Sequence, residues 1–429
     1  MAGVKCHNSA LCIFDQQPVQ TDVLKSYIMD FYPVNSLDGD GPIDFNVKGE
    51  ADEYIDLNDI NLNLHVKITK ADGSKLATTD LTAFVNLPIA SMFKDVVVNV
   101  NDTQIHGGEY HYPYTTYLQT VTQFQKQAQK THMQLWGWER DESGKFDDNA
   151  NTGHVARQKY VAESDVYHLY GPLFVGIFQQ ERYLINNTPM KITLRRASPE
   201  FALFNSAGGA FKFTIEKAEL HVRYATMNPS VIEGHTIGLE KKNALYPYLN
   251  SKLIVHTALK DCLEARRDYI FSEAMPRALM IAMVDHDAYS GNIKKNPFNF
   301  QHYNLQSLSL FRSGALVDNR PFEINYAEDY YADVYAYTMR SLKMYNKDDS
   351  NGLTLAEFKN GYNIYVFDLT PDNANDAPHR SISLDKGLRL EMKFSKKLPN
   401  NINILILGIF DEFMEISKLR RATTTANAS

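Results

Sequence analysis

The groups most able to do chemistry in this 429-residue chain are its thirteen histidines, its three cysteines and a few close acidic pairs. His106, Glu109 and His111, within HGGEYHY, offer two imidazoles and a carboxylate at a spacing that could hold a metal ion. They follow a strand pattern, however, in a Gly-Gly turn running into a Tyr-rich segment, so a turn with polar capping is the better reading. NKDDSNGLTLAEF (346–358) invites comparison with a calcium loop. Aligning Gly352 with the obligatory glycine leaves Lys347 and Phe358 where Asp and Glu are required, so a surface loop is expected. Asp285 and Asp287 have the two-residue spacing of paired carboxylates, but they sit where a strand gives way to a turn and read as a solvated strand end. Glu181 and Arg182 suit an ion pair, and His235 a satisfied histidine in a buried or half-buried setting. No GxSxG, HExxH, Walker or GxGxxG pattern is present. No catalytic, cofactor-binding or metal-ligating residue is therefore assigned, and no cofactor is expected.

The elements that would have to carry such groups are strands. Residues 60–68, INLNLHVKI, place Ile60, Leu62, Leu64, Val66 and Ile68 on one face and Asn61, Asn63, His65 and Lys67 on the other. The same period of two recurs in VVVNV (96–100), MKITLRR (190–196), FKFTIEKAELHVRY (211–224), LRLEMKF (388–394) and INILILGIF (402–410). Alternation of this kind buries one face and wets the other, as antiparallel sheets do. Aromatics reach 12%, with Tyr 25 and Phe 23 against Trp 2, a bias that suits pleated surfaces.

Lys plus Arg total 44 against 51 for Asp plus Glu, a net charge of −7, which argues against a protein that coats nucleic acid with its whole surface. Cys6, Cys12 and Cys262 form no CxxC pair, so a reduced, intracellular chain is expected. No apolar run approaches the ~20 residues of a membrane helix, no signal peptide is read at the start, and the NxS/T triplets at Asn101, Asn186 and Asn427 are taken as chance.

The chain also repeats itself. IDFNV (43–47) pairs with LIVHT (253–257), INLNLHVKITKADG with ALMIAMVDHDAYSG (278–291), and 85–105 with 296–317. The Tyr-rich 110–118 follows with 330–342, GPLFVGIF (171–178) with GYNIYVFDL (361–369), MKITLRR with LRLEMKF, and 211–224 with 401–416. The shared order is the evidence for two copies of one unit. Each copy holds about eight strand candidates, the number of a jelly roll, and the fold class expected is all-β: two tandem eight-stranded antiparallel jelly rolls with short helical insertions. The expected layout is an N-terminal arm 1–30, with Leu11, Ile13, Phe14 and Val23 in need of burial, then a first roll 31–227. A connector 228–249 follows, helical from Pro229 and stopped by Pro247, then a second roll 250–417 and a flexible tail 418–429. The first roll carries an enlarged, polar loop at 126–165 whose removal is expected to leave both rolls folded. The basic groups Lys241–Lys242 and Lys418–Arg420–Arg421 are solvated charge, the second a possible contact for a genome or an acidic partner.

Residues 31–68, FYPVNSLDGDGPIDFNVKGEADEYIDLNDINLNLHVKI, resemble the first strands of the double jelly-roll major capsid proteins of Polintons (Mavericks, adintoviruses), virus-like elements integrated in animal genomes. YPYTTYLQTV (112–121), GPLFVGIFQQERYLINN (171–187), KNPFNFQHYNL (295–305) and GYNIYVFDLTPD (361–372) are similar to further segments of that family. The resemblance implies a homotrimer whose six near-equivalent lobes give a pseudo-hexagonal capsomer able to tile an icosahedral shell. It further implies weaker trimer–trimer contacts, a penton or minor capsid protein as partner, and location in a virion after assembly in the cytoplasm or nucleus of a eukaryotic host. The loop 126–165 is the candidate for an outer tower or a clasp on a neighbour. An alternative from another class is a carbohydrate-binding or carbohydrate-processing double β-sandwich, supported by the many Tyr side chains and opposed by the confinement of tryptophan to Trp136 and Trp138.

Overall fold

The alternating runs become strands because each has one apolar face to bury. In β3 (Glu53–Lys70) the side chains of Leu62, Leu64, Val66 and Ile68 are fully buried, while Asn61, His65 and Lys67 remain partly exposed. The computed structural model describes residues 19–272, 274–380 and 387–426. Its first half builds β1 (Val23–Phe31), β2 (Ile43–Val47), β3, β4 (Phe93–Val100), β5 (Thr103–His106), β6 (Tyr167–Pro172), β7 (Met190–Arg196) and β8 (Phe211–Met227). They pair as two antiparallel sheets, β1-β8-β3-β6 and β2-β7-β4-β5.

The second half builds β9 (Ala244–Ala258), β10 (Glu264–Arg267), β11 (Ala278–Asp285), β12 (Leu305–Arg312), β13 (Ala315–Leu316), β14 (Ile364–Asp368), β15 (Leu388–Phe394) and β16 (Ile402–Ile416). Their order is β9-β16-β11-β14 and β10-β15-β12-β13. Numbered from one within each half, both rolls read 1-8-3-6 and 2-7-4-5, so the chain wires the same eight-stranded jelly roll twice. Strand pairing among the described residues stays within each half. Helices are short: α1 (Tyr112–Gln123), α2 (Thr152–Val161), α3 (Pro229–Lys241), α4 (Ala332–Ser341) and α5 (Leu355–Lys359). Among the described residues, no helix is long and apolar enough to cross a membrane.

Several expectations are corrected. The segment 1–30 is not an arm throughout, because β1 begins at Val23 and pairs with β8; residues 1–18, with Cys6, Cys12, Leu11, Ile13 and Phe14, lie outside the described residues. The connector 228–249 is helical only to Lys241, and Pro247 sits inside β9 opposite Phe413. A proline is tolerated there because β9 is an outer strand of its sheet, where a missing ladder N–H costs little.

The tail 418–429, expected to be flexible, supplies a further strand, β17 (Ala422–Ala426), on β16. β11 covers β16 only from Ile402 to Ile409, leaving the edge of 412–416 open, and the Thr-rich tail fills it. Asn427 lies outside the described residues. By wiring, the counterpart of Ile43–Val47 is β10 rather than 253–257, and the counterpart of β14 is β6 rather than 171–178, so two of the repeat pairings were out of step. The Tyr-rich pair, by contrast, falls on α1 and α4, which occupy the same place in each roll.

The largest correction concerns 126–165. It is a folded insertion with Met133, Trp138, Phe146 and Val161 fully buried and Trp136 nearly so. Its polar residues are internal too. Arg157 is 1% exposed and donates to the carbonyls of Phe84 (2.9 Å) and Glu139 (2.7 Å) and to Asp141 Oδ1 (2.7 Å). Asn151 caps α2 and also donates to Asp141 Oδ1 at 3.0 Å. The segment is thus folded structure with a buried centre rather than a polar loop.

Candidate functional site at the junction of the two rolls

The insertion and α1 meet the second roll in an aromatic seam. Tyr117 of α1 stacks on Phe298 with centroids 4.0 Å apart and planes 2° from parallel, and tilts against Trp138 at 5.6 Å. Tyr114 stacks on Tyr289 at 5.5 Å and meets Phe298 edge-on. Phe146 packs edge-on against Tyr362 at 4.9 Å. Apolar rings in these arrangements add roughly 0.5–1.5 kcal/mol per pair beyond the area they bury. Burial also carries the Tyr114 and Tyr117 phenols well above their usual range, so both are neutral side chains of a dry interface.

Polar contacts register the seam. Arg140 bonds Glu357 through Nε (3.0 Å) and lies over the Tyr362 ring, while Tyr362 donates to the Asp141 carbonyl at 2.9 Å. Asp147 accepts from the Asn296 backbone (2.6 Å) and Asn299 Nδ2 (2.8 Å). The backbone N–H of Gly144 donates to the Asn360 carbonyl at 3.0 Å. At Gly361, φ is +104° and a Cβ would meet the Phe146 ring at 2.2 Å, so this position admits glycine alone. On the opposite flank the C-terminal segment straps the rolls together. Thr103 donates to the Ala422 carbonyl (2.8 Å), Asn101 to the Arg420 carbonyl, and Arg420 to Asn186 Oδ1 (2.6 Å).

The residues singled out from sequence fall around this junction. His106, Glu109 and His111 line a polar cleft of about 370 Å³ with Asp95, Asn250, Lys252 and Glu412. Their partners are already local: Glu109 accepts from the Leu253 backbone at 3.4 Å, Asp95 from Gly108 N at 3.1 Å, and Glu412 from Asn250 Nδ2 (2.8 Å) and Lys252 (3.1 Å). Burial lowers both histidine pKa values and raises that of Glu109, which favours uncharged forms. Among the described residues, no three His, Cys, Asp or Glu side chains converge to hold a metal ion.

Segment 346–358 is the expected surface loop over its exposed start, 346–349, and turns inward after it. Asn351 and Leu353 are buried under the insertion, Gln129 donates to the Asn351 carbonyl, and Thr354 with Glu357 forms a capping box on α5. Asp285 and Asp287 share Lys295 (2.9 and 3.1 Å), and Asp285 caps a helical turn at the strand end. Arg182 turns to the Leu245 carbonyl (2.5 Å) rather than to Glu181. His235 is satisfied by Tyr54 Oη at 2.9 Å but is exposed, not buried. Lys418 pairs with Glu240 at 2.9 Å. Cys262 is a free, half-buried thiol, and Asn186 is buried against both rolls. The residues missed from sequence are Arg140, Asp141, Arg157 and Phe146; two tryptophans inside a nominal loop were the available signal.

No family model matches the chain. An uncharacterized protein of Caenorhabditis elegans, F54H12.2, is 20% identical over 400 residues, spanning 90% of this chain and 94% of its own. Among solved structures, a chain of the Sputnik virophage superposes with a TM-score of 0.68 at 12% identity, over 100% of this chain and 94% of that one. The mavirus major capsid protein gives 0.56 at 13% identity (98% and 94% covered). The Faustovirus major capsid protein gives 0.60 at 9% (96% and 93% covered). This chain has the fold of viral major capsid proteins. In each structural comparison the share covered, 96–100% of this chain, takes in both rolls.

Proposed function

We propose that this chain is a structural major capsid protein, a self-assembling brick without catalytic activity or cofactor. The observation that carries the reading is the junction: two rolls of identical wiring, locked by buried aromatics, an internal ion-pair network and a C-terminal strap, form one block with two similar halves. A two-roll block is the unit from which three chains make six lobes about a threefold axis, and permanent interfaces of that kind bury roughly 2,000–5,000 Å².

The finer reading is a homotrimeric, pseudo-hexagonal capsomer of a Polinton/Maverick (adintovirus-like) element, residing in the virion and assembled in the cytoplasm or nucleus of its host. It meets a penton or minor capsid protein where trimers cannot tile. A relative in a nematode accords with residence in an animal genome. Genome contact through the basic tail loses support, since Lys418 and Arg420 are engaged within the chain. Against the carbohydrate reading, Trp136 and Trp138 are core residues and Tyr114, Tyr117 and Tyr362 are buried in the seam.

Light scattering after size-exclusion chromatography tests the reading. The expected mass is three times 48.9 kDa or larger shells by negative-stain microscopy; a stable monomer at high concentration overturns it.

A further inference from the structure

Within the chain, α1 of the first roll lies on the β9-β16-β11-β14 sheet of the second. Gln119 donates to Ser251 Oγ at 2.6 Å, and Thr122 Oγ1 lies 3.8 Å from Met280 Sδ. This cover stops where α1 ends at Gln123. Between that end and the end of α4 at Ser341 a groove of about 370 Å³ opens onto the sheet. Small-molecule pockets span roughly 300–1,000 Å³. The walls are largely apolar, with Met280, Val366 and Ile409 from the sheet and Leu342 and Met344 from the segment after α4. Unbranched methionine side chains adapt to an irregular guest.

Arg277, the residue before β11, also lines this groove and is 7% exposed. Its Nη1 donates to Asp411 Oδ1 at 2.7 Å, and its Nη2 to the carbonyls of Ala374 (3.1 Å) and Ala377 (2.8 Å). Its Nε is buried and meets no acceptor among the described residues. A buried N–H left in that state is costly, and an oxygen supplied by a guest would satisfy it. The guest is not an anion. Asp411 already matches the charge of Arg277, and Lys347 at the groove is outnumbered by Asp349 and Asp376, so no excess positive charge faces the cavity.

We propose that this groove binds an uncharged, largely apolar small molecule that presents one acceptor oxygen, a hydroxyl, ether or carbonyl, to Arg277 Nε. Such a molecule touches α1 of the first roll and the sheet of the second, so its binding ties the rolls together and stabilises the whole chain. The site belongs to the single chain and does not depend on the assembly reading.

Three probes with the same ten-carbon tail and different heads test it on full-length protein, by calorimetric titration and melting temperature. Decanol is expected to bind and to raise the melting temperature. Decanoate, which is charged, and decyltrimethylammonium, which has no acceptor, are expected to bind roughly tenfold more weakly. Equal binding of the three, tighter binding of decanoate, or no binding of decanol overturns the proposal. Gln123→Trp, at an exposed position on the groove, is expected to abolish decanol binding with an unchanged circular dichroism spectrum. Unchanged binding would put the decanol elsewhere and overturn the site. Arg277→Lys keeps a charge for Asp411 but lacks Nε, and is expected to weaken decanol binding roughly tenfold. If that variant misfolds, the probe series and Gln123→Trp decide.

Discussion

Arg157 and Asp141 form a buried pair at the centre of the insertion, and each also holds backbone or side-chain partners that fix its direction. Removing one member strands a charge with no water to solvate it. Asp141→Ala is therefore expected to cost about 3–5 kcal/mol in urea unfolding, far beyond a surface substitution. His154 sits one turn away, 1% exposed, with Nε2 on the Leu81 carbonyl at 2.8 Å and its ring edge-on to Phe204. Burial and the nearby Arg157 lower its pKa to about 4 from 6.5. The unfolded chain thus binds a proton that the folded chain refuses, so stability falls as pH drops from 6.5 towards 4. This one group should make the wild type about 2 kcal/mol less stable at pH 5 than at pH 7.5, and His154→Gln should lose that part of the pH dependence. Equal slopes for the two proteins would contradict the assignment.

At the level of elements, the insertion and the C-terminal strand behave as structure rather than decoration. Deleting 126–165 is expected to give insoluble or unfolded protein, because Trp138, Phe146 and Arg157 leave a junction that nothing else can fill. A soluble deletion variant with a native melting profile would refute this. Truncation after Ser417 removes β17 and the contacts of Arg420 and Ala422 to the first roll. At roughly 1 kcal/mol per lost hydrogen bond, a loss of a few kcal/mol is expected by thermal melting, with the rolls still folded.

The strands themselves were legible. Period-two runs such as INLNLHVKI and LRLEMKF carry their burial in their spelling, and their order disclosed the repeat. The insertion was not legible, because Asn151, His154 and Arg157 look like solvent-facing residues unless one knows that Asn151 and Arg157 share Asp141 and that His154 reaches the Leu81 carbonyl inside. β17 was missed for a related reason: a short Thr-rich run becomes a strand only where β16 leaves an edge unpaired, and that vacancy is a property of the tertiary structure. Of the candidate chemistry, His106, Glu109 and His111 proved to line one cleft, yet their local partners and burial make them part of the joint between the rolls.

For the whole molecule, the seam implies that the rolls do not unfold separately. Calorimetry is expected to show a single transition, and two resolved transitions would mean that the junction is weaker than its buried rings and ion pairs indicate. The same rigidity suits a building block, since a flexible hinge between rolls would spread the angles at which neighbours meet. Electron cryo-microscopy of the purified protein tests this most directly. Threefold particles with six similar lobes, each chain supplying two adjacent ones, are the expected result; isolated single chains at every concentration, or rolls at variable angles, would contradict it.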